Sequence, residues 1–333
     1  MSPRARPTPT APDPALVGRF AAELDRLVPA GERIGIAVSG GPDSLALLIL
    51  AAAARTGAVE AATVDHALRQ ESKAEAATVA RVCGELGVPH STLMAEWNPK
   101  PETAIQERAR IERYRLLGRW AVGRGIAAIA TAHHLDDQAE TLMMRLNRGA
   151  GVRGLAGMRP ESPVPGAETP LRLIRPLLGW RRSELAGVCA AAGVAPVDDP
   201  SNEDEQFERV RVRHALAEAT WLDAEGVAAS ASHLGSAEKA LCWATDVEWD
   251  RRVERAGDRI VYRPEGPMEI RRRVIRRILD ALASEGAESA LRGRELDRIL
   301  AVLSAGGKAT IRGVLCSGGE QWRFAPAPRR TAR

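Results

Sequence analysis

The feature that most constrains this chain is a junction, IGIAVSGGPDSLALLIL at residues 34–50. An apolar strand-like run passes through six small residues into an apolar helical run. A strand, a tight glycine turn and a helix N-terminus in succession aim backbone N–H groups and the positive end of a helix dipole at one point, which suits an anion. Gly40 and Gly41 offer backbone that takes φ > 0 and lets a ligand approach, while Ser39 and Ser44 add hydroxyls and Pro42 opens the helix. Asp43 would repel a bare phosphate, so its presence favours a phosphate that arrives with Mg²⁺. The loop contains neither GxxxxGK[ST] nor GxGxxG, which argues against the lysine-bearing P-loop and the dinucleotide fingerprint. The bland alternative is a plain strand–helix turn with an acid in its first helical turn.

Strand and helix patterns alternate through the first half of the chain. Strands are predicted at 34–38, 59–64, 89–94, 126–130 and 173–176. Helices are predicted from 45 to 55 and over 73–86, 104–122 and 181–192. This alternation specifies an α/β fold, a parallel five-stranded Rossmann-like sheet with helices on both faces. In the helix at 104–122, Ile105, Ala109, Leu116 and Trp120 form the expected buried stripe, with Arg108, Arg115 and Arg119 on the polar side. The Gly- and Pro-rich stretch 148–170 reads as an active-site or connecting loop. Beyond residue 215 the alternation stops. Helices are expected at 224–254, 268–284 and 292–303, then a hairpin of 309–316 and 321–325 around Ser317-Gly318-Gly319. The expected division is a disordered tail at 1–14, a nucleotide-binding catalytic domain at 15–215 and a smaller, mostly helical domain at 216–333.

The longest apolar run, 45–54, is far short of the roughly 20 residues a membrane span needs, so no membrane partner is expected. Cys83, Cys189, Cys242 and Cys316 form no CxxC pair, which argues against a zinc site or redox dithiol and suits a reducing cytoplasm. Net charge is +4 overall, but residues 248–333 carry 19 Arg and Lys against 12 Asp and Glu. A basic C-terminal third on a mildly acidic body points to an anionic partner such as nucleic acid.

A second constellation, TAHHLDDQAET at 131–141, directly follows the fourth strand. Open parallel sheets bind ligands at the carboxyl ends of their strands, so this loop should face the first one. With a helix from Leu135, Asp136 and Glu140 fall at i and i+4 on one face, and Asp137 adjoins them. Three carboxylates beside His133 and His134 are costly to gather unless cations come there, Mg²⁺ and an ammonium group being the candidates. An acidic first turn of a surface helix is the alternative.

SGGPDS (39–44) resembles the SGGxDS loop of the PP-loop, or N-type, ATP pyrophosphatases. Within that superfamily, VDHALR (64–69), TAHHLDDQAET (131–141), RGAGVRGLAGM (148–158), PLLGWRRSEL (176–185) and DPSN (199–202) are similar to the tRNA(Ile)-lysidine synthetases. The resemblance implies ATP as a substrate, with Mg²⁺. It also implies free L-lysine and a tRNA(Ile) with a CAU anticodon as partners. The implied reaction adenylates the C2 carbonyl oxygen of cytidine 34 with release of pyrophosphate. The ε-amine of lysine then displaces AMP to give lysidine. On that footing Ser39, Gly40, Gly41, Pro42, Asp43 and Ser44 would hold the phosphates and His66 would contact the nucleotide. Asp43 and Asp136 would place the metal. Asp137 and Glu140, with Asp136 beside them, would receive the lysine ammonium, one of them taking its proton. Arg110 and Arg113, in RARIERY, would lie near lysine or the ATP phosphates. Arg175, Arg209 and Arg213 would meet tRNA phosphates or the adenylate. Relatives carry Arg-Asn where this chain has Arg209-Val210, so a role resting on that Asn does not transfer. The C-terminal region, 216–333, resembles the first C-terminal domain of the family, which implies a tRNA-binding domain, and the oligomeric state, a homodimer included, is left open. Two other readings stand beside it: a PP-loop tRNA thiolase, which the cysteine spacing disfavours, and a non-catalytic ATP- or tRNA-binding module.

Overall fold

Strands β1 (Ile34–Ala37) and β2 (Val59–Asp65) pair in parallel at the centre of a six-stranded sheet in a computed structural model that describes residues 9–67, 72–97, 103, 105–167, 169–197, 203–282 and 293–327. The sheet continues through β3 (His90–Met94) on one side and β4 (Ala128–Ala130) on the other. Beyond β4 lie β5 (Glu161–Pro163) and β6 (Arg172–Ile174), in the spatial order β3-β2-β1-β4-β6-β5. The five predicted strands are all present and parallel. The sixth, β5, is an antiparallel edge strand formed within the expected 148–170 loop, where Ser162 pairs with Leu173. Its sequence, ESP, ends in proline and has no alternation to betray a strand. After β3 the chain crosses to the far side of β1, so β1 and β4 flank the switch point where ligands settle in such sheets.

Helices α1 (Pro14–Leu27), α2 (Pro42–Ala54), α3 (Ser72–Glu85) and α7 (Arg182–Ala191) share one apolar core with the β1 residues Ile34 and Ile36. Leu45 to Ala51 of α2 are all buried, so this helix carries no polar face and its N-terminus has a fixed position. Thr10 N donates to Ala192 O, and Asp13 caps α1, so the end of the expected 1–14 tail is built into the structure. Residues 1–8 lie outside the described residues, as does the DPSN motif.

Helix α4 (Ile105–Arg124) covers the opposite face. Its buried residues are Tyr114, Leu117, Gly118, Trp120 and Ala121, whereas Ile105 is exposed. The expected stripe is thus fully buried only at Trp120, with Ala109 and Leu116 half-buried. A Cβ on Gly35 would come within 2.6 Å of the Trp120 ring, so the glycine in β1 is what lets α4 seat so closely. Helix α5 (Leu135–Asn147) and the short α6 (Val152–Leu155) follow β4. Gln138 of α5 donates to Met158 O and accepts from Met158 N, which pins the glycine-rich 148–158 segment to this helix.

The chain divides into two compact units, Met1–Gly235 and Ser236–Arg333. Helix α8 (Glu208–Glu218) and the first turns of α9 (Ala224–Arg252) belong to the first unit, so the division falls some 20 residues later than the expected 215. The reason is local: α8 packs on α5, and Val227 and Ala231 join Ala139 and Leu142 in a small core. The second unit has the expected helices and more strand than expected. Strands β7 (Val253–Ala256), β8 (Arg259–Tyr262), β9 (Lys308–Ile311), β10 (Val314–Ser317) and β11 (Trp322–Pro326) form an antiparallel sheet in the order β7-β8-β11-β10-β9. Helices α10 (Met268–Leu282) and α11 (Gly293–Ser304) share its core, where Tyr262 and Trp322 meet edge to face at 5.6 Å. The predicted hairpin strand at 309–316 is two strands, broken at Arg312-Gly313, both at positive φ. The β7–β8 hairpin turns at Gly257, also at positive φ, within a stretch too charged to read as strands.

Candidate active site

The loop after β1 closes on itself through Ser44. Ser44 Oγ accepts from Ser39 N at 3.1 Å and from Ser39 Oγ at 3.2 Å, and donates to Gly41 O at 2.9 Å. Only the first glycine uses its freedom: Gly40 has φ +92°, whereas Gly41, the N-cap of α2, has φ −71°. Gly40 O accepts from Val197 N at 2.9 Å, which ties the loop to the segment beyond α7.

This loop forms one wall of a cleft of about 570 Å³, within the usual size of small-molecule sites. Ser39, Gly41, Pro42, Asp43 and Ser44 line it, facing Thr131, Ala132 and His133 from the end of β4. His66 after β2, Arg113 from α4 and Arg213 from α8 complete the lining named by the sequence. Two of these side chains hold a buried nitrogen without a hydrogen-bond partner, Arg113 Nε and His66 Nδ1. Burial, with Arg113 nearby, lowers the His66 pKa against the opposing pull of Asp65 and Glu112. Next to it Ala67 holds φ +51°, its N–H donating to Asp65 Oδ1 at 2.8 Å, a strained conformation at the rim of the site.

Asp136, Asp137 and Glu140 do not line that cleft, but a histidine the sequence reading left without a role joins Asp136 and Asp137 to the loop. His134 is 3% exposed. Its Nε2 lies 3.5 Å from both Asp43 Oδ2 and Asp137 Oδ2, and its Nδ1 lies 3.5 Å from Asp136 Oδ2. Burial disfavours its charge, but Asp136, Asp43 and Asp137 outweigh that and raise its pKa to about 9. Its neighbour has the opposite fate. Burial and the cations Arg175, Arg113, Arg209 and Arg110 press His133 down to about 3, so it stays neutral, with Nδ1 2.9 Å from Thr131 Oγ1. Adjacent histidines point apart, so one joins the acids and the other the arginines.

The three carboxylates are already engaged. Asp136 Oδ2 accepts from Arg182 N at 2.8 Å, and Oδ1 lies 3.4 Å from Arg181 Nη2. Burial works against its charge, yet His134 and these contacts hold its pKa at about 2. Asp137 Oδ2 accepts from His134 N at 3.0 Å and completes a capping box for α5. Asp137 Oδ1 and Glu140 Oε2 accept from Arg209 at 2.8 and 2.6 Å, and Glu140 Oε1 accepts from Arg213 at 2.9 Å. Burial raises the pKa of Asp137 in spite of His134 and Arg209. Arg209 and Arg213, expected toward an outside anion, therefore have internal partners, as the ERVRVRH spacing along one helix face allows.

The remaining arginines separate. Arg113 and Arg110 lie over the Tyr114 ring at 5.0 and 5.1 Å, but Arg110 is exposed. Arg175 is 8% exposed, with Nη1 donating to Arg159 O at 2.8 Å and Ser162 Oγ at 3.1 Å. It holds the segment ahead of β5 and its Nε is buried without a partner. The two residues the sequence did not single out, Arg181 and Arg182, stood inside the quoted PLLGWRRSEL motif. Among the described residues no three His, Cys, Asp or Glu side chains group as a metal site, and no helix is long and apolar enough to cross a membrane. Asp43 Oδ1 is nevertheless buried without a partner at the mouth of the loop. One carboxylate together with substrate phosphates is the usual way Mg²⁺ is held, so Asp43 fits such an ion; the oxygens of Asp136 are spent.

A family profile described as a PP-loop domain matches residues 17–220. The tRNA(Ile)-lysidine synthase of Novosphingobium aromaticivorans is 48% identical over 311 residues, covering 93% of this chain and 93% of that one. The tRNA(Ile)-lysidine synthase of Zymomonas mobilis is 41% identical over 303 residues, 91% of each chain. Among solved structures, a U34-tRNA thiolase from Methanococcus maripaludis superposes with a TM-score of 0.54 at 14% identity, over 67% of this chain and 78% of that one, which is a likeness of fold. With a PP-loop domain over most of its first unit and relatives alike along nine-tenths of their length, this chain belongs to the tRNA(Ile)-lysidine synthase family.

Proposed function

We propose that this protein uses ATP to join L-lysine to C2 of the wobble cytidine in a tRNA(Ile) with a CAU anticodon, giving lysidine, AMP and pyrophosphate. The observation that carries the reading is one cleft lined both by the 39–44 loop and by the 131–133 segment, with His134 between Asp43 and the Asp137–Glu140 pair. The triphosphate rests on the main-chain amides of the loop and the N-terminus of α2, with the Arg113 guanidinium lining the same cleft. His66 takes the nucleoside side. Asp43 would hold Mg²⁺, and the chemistry the ion would supply is neutralisation of charge on the departing pyrophosphate. The C2 oxygen of cytidine attacks the α-phosphorus and pyrophosphate leaves. The lysine ammonium first gives a proton to Asp137, the free amine adds at C2, a second proton passes to solvent, and AMP departs. Burial raises the pKa of Asp137, which suits it to take the proton, and Glu140 holds the ammonium beforehand. Most of the acceleration comes from holding three substrates in register, where effective molarities reach about 10⁵ M or more.

The test is incubation of a CAU-anticodon tRNA(Ile) transcript with ATP, Mg²⁺ and labelled lysine. Label entering the tRNA, dependent on ATP, is the expected outcome. Retained tRNA binding without incorporation would leave the binding-module reading, and sulfur transfer would leave the thiolase.

A further inference from the structure

Where the backbone pairing of β2 with β3 ends, a side chain takes over from it. Asp65 stands opposite Met94, and Asp65 O accepts from Ala95 N at 2.8 Å. The next carbonyl, His66 O, accepts from the indole Nε1 of Trp97 at 2.7 Å, 31 residues along the chain. One residue further, Ala67 stands at φ +51°, a left-handed conformation that strains an alanine and persists only where its surroundings hold it. Asp65, itself 2% exposed, accepts from Ala67 N at 2.8 Å, so the turn is gripped on one side by that carboxylate and on the other by Trp97. Between these anchors lies His66, whose ring lines the cleft and whose Nδ1 is buried without a hydrogen-bond partner. No hydrogen bond at that nitrogen fixes the ring, so its place depends on where the turn puts its backbone. The other tryptophans of this unit's core behave differently. Trp120 and Trp180 leave their indole N–H buried and unpartnered, their rings serving only to pack. Trp97 is half-buried, so solvent could serve its N–H, and what the bond changes is the carbonyl it holds.

We propose that Trp97 is a positioning residue for nucleotide binding: through His66 O it keeps the strained 65–67 turn in the shape that presents His66 to the nucleoside of ATP. This inference rests on the proposed ATP-dependent reaction and adds to it a residue outside the lining of the cleft. A turn shaped in advance strengthens binding by removing the ordering cost that a loose turn would add. The strain dictates how the turn answers when Trp97 lets go. Ala67 falls back to negative φ and His66 leaves the cleft wall, whereas glycine at 67 keeps the same φ without strain.

The experiment is calorimetric titration of ATP with Mg²⁺ into the full-length protein, set beside steady-state incorporation of labelled lysine. Trp97→Phe, which keeps a ring and removes the donor, is compared with Ala67→Gly and with the double variant. Trp97→Phe is expected to raise the Kd and KM for ATP about five- to tenfold, the size of one hydrogen bond's net worth. Its kcat at saturating ATP should stay within about twofold of wild type. Ala67→Gly should bind ATP like wild type, and Ala67→Gly/Trp97→Phe should recover most of the affinity that Trp97→Phe loses. Unchanged ATP affinity in Trp97→Phe overturns the assignment, as does an equal loss in the Ala67 and Gly backgrounds, which would make Trp97 a packing residue only. Wild type that binds ATP yet incorporates no lysine overturns the proposed reaction and leaves the calorimetric comparison to decide on Trp97; failure of wild type to bind ATP at all overturns both. Should Trp97→Phe prove unstable, Ala67→Gly/Trp97→Phe must fold and bind ATP as wild type does for the assignment to survive.

Discussion

Arg209 Nε donates to Glu140 Oε2 at 2.6 Å, while its Nη2 reaches Asp137 Oδ1 at 2.8 Å, so one guanidinium from α8 spans the acidic pair of α5. With Arg213 on the other oxygen of Glu140, two carboxylates face two cations and the local charge sums to zero. An incoming ammonium gains little there until Arg209 withdraws. Arg209→Leu is therefore expected to bind lysine several-fold more tightly in calorimetry with ATP present. The same variant should lose about 1–3 kcal/mol of stability, as Glu140 keeps a single charged partner. Unchanged or weaker lysine binding would mean that Arg209 orients the acids and does not compete for them.

His134 gives stability a pH dependence whose sign follows from its surroundings. Its pKa stands near 9 in the folded protein, raised above the ordinary 6.5. Folding therefore draws stability from the imidazolium fully below pH 6.5, and that contribution fades as pH rises through about 9. In metal-free buffer the thermal midpoint of wild type should fall across that window more steeply than that of His134→Asn. Parallel curves would show that the Asp43, Asp136 and Asp137 contacts do not hold the charge.

Asp43→Asn separates two duties of one side chain. Oδ2 faces His134, but Oδ1 is buried and answers to nothing in the protein. If that oxygen holds Mg²⁺ against the phosphates, its loss costs about 3 kcal/mol or more of transition-state stabilisation, at least a hundredfold in turnover. The fold should persist, since the amide is isosteric. Saturating Mg²⁺ should recover part of the rate. Near-normal turnover at ordinary Mg²⁺ would reduce Asp43 to a counter-ion for His134.

The parallel strands were legible because short apolar stretches bounded by turn residues alternate with helical patterns, although β2 and β3 carry polar residues, and the two ligand loops because they follow β1 and β4. Their order in the sheet was not, yet it is what brings the loops together. What escaped the sequence has a common physical cause: partners far apart along the chain. Glu140 finds Arg209 and Arg213 about 70 residues away, and nothing local in ERVRVRH tells an internal ion pair from a solvated helix face. Gln138 clasping Met158 and Asp136 accepting from Arg182 N are contacts of the same kind. In the C-terminal unit the short strands, interrupted by Arg and Glu on their open face, gave weak alternation, so helices dominated the reading.

The two glycines of the loop make opposite predictions. Gly40 stands at φ +92°, and a Cβ there would come 3.1 Å from Val197 Cγ2, so Gly40→Ala is strained in backbone and in space. It should destabilise the folded protein by about 1–2 kcal/mol whether or not nucleotide is present. At Gly41 the backbone is ordinary, and the nearest atom to an added Cβ is Ser39 Oγ at 3.8 Å. Gly41→Ala should therefore melt like wild type. Yet Gly41 lines the cleft at the N-terminus of α2, where a methyl group would stand in the path of a phosphate approaching the amides. ATP affinity, measured by calorimetry, should fall at least tenfold in a protein of undiminished stability. If Gly41→Ala binds ATP normally, the phosphates do not rest on this turn, and the cleft holds its nucleotide in some other way.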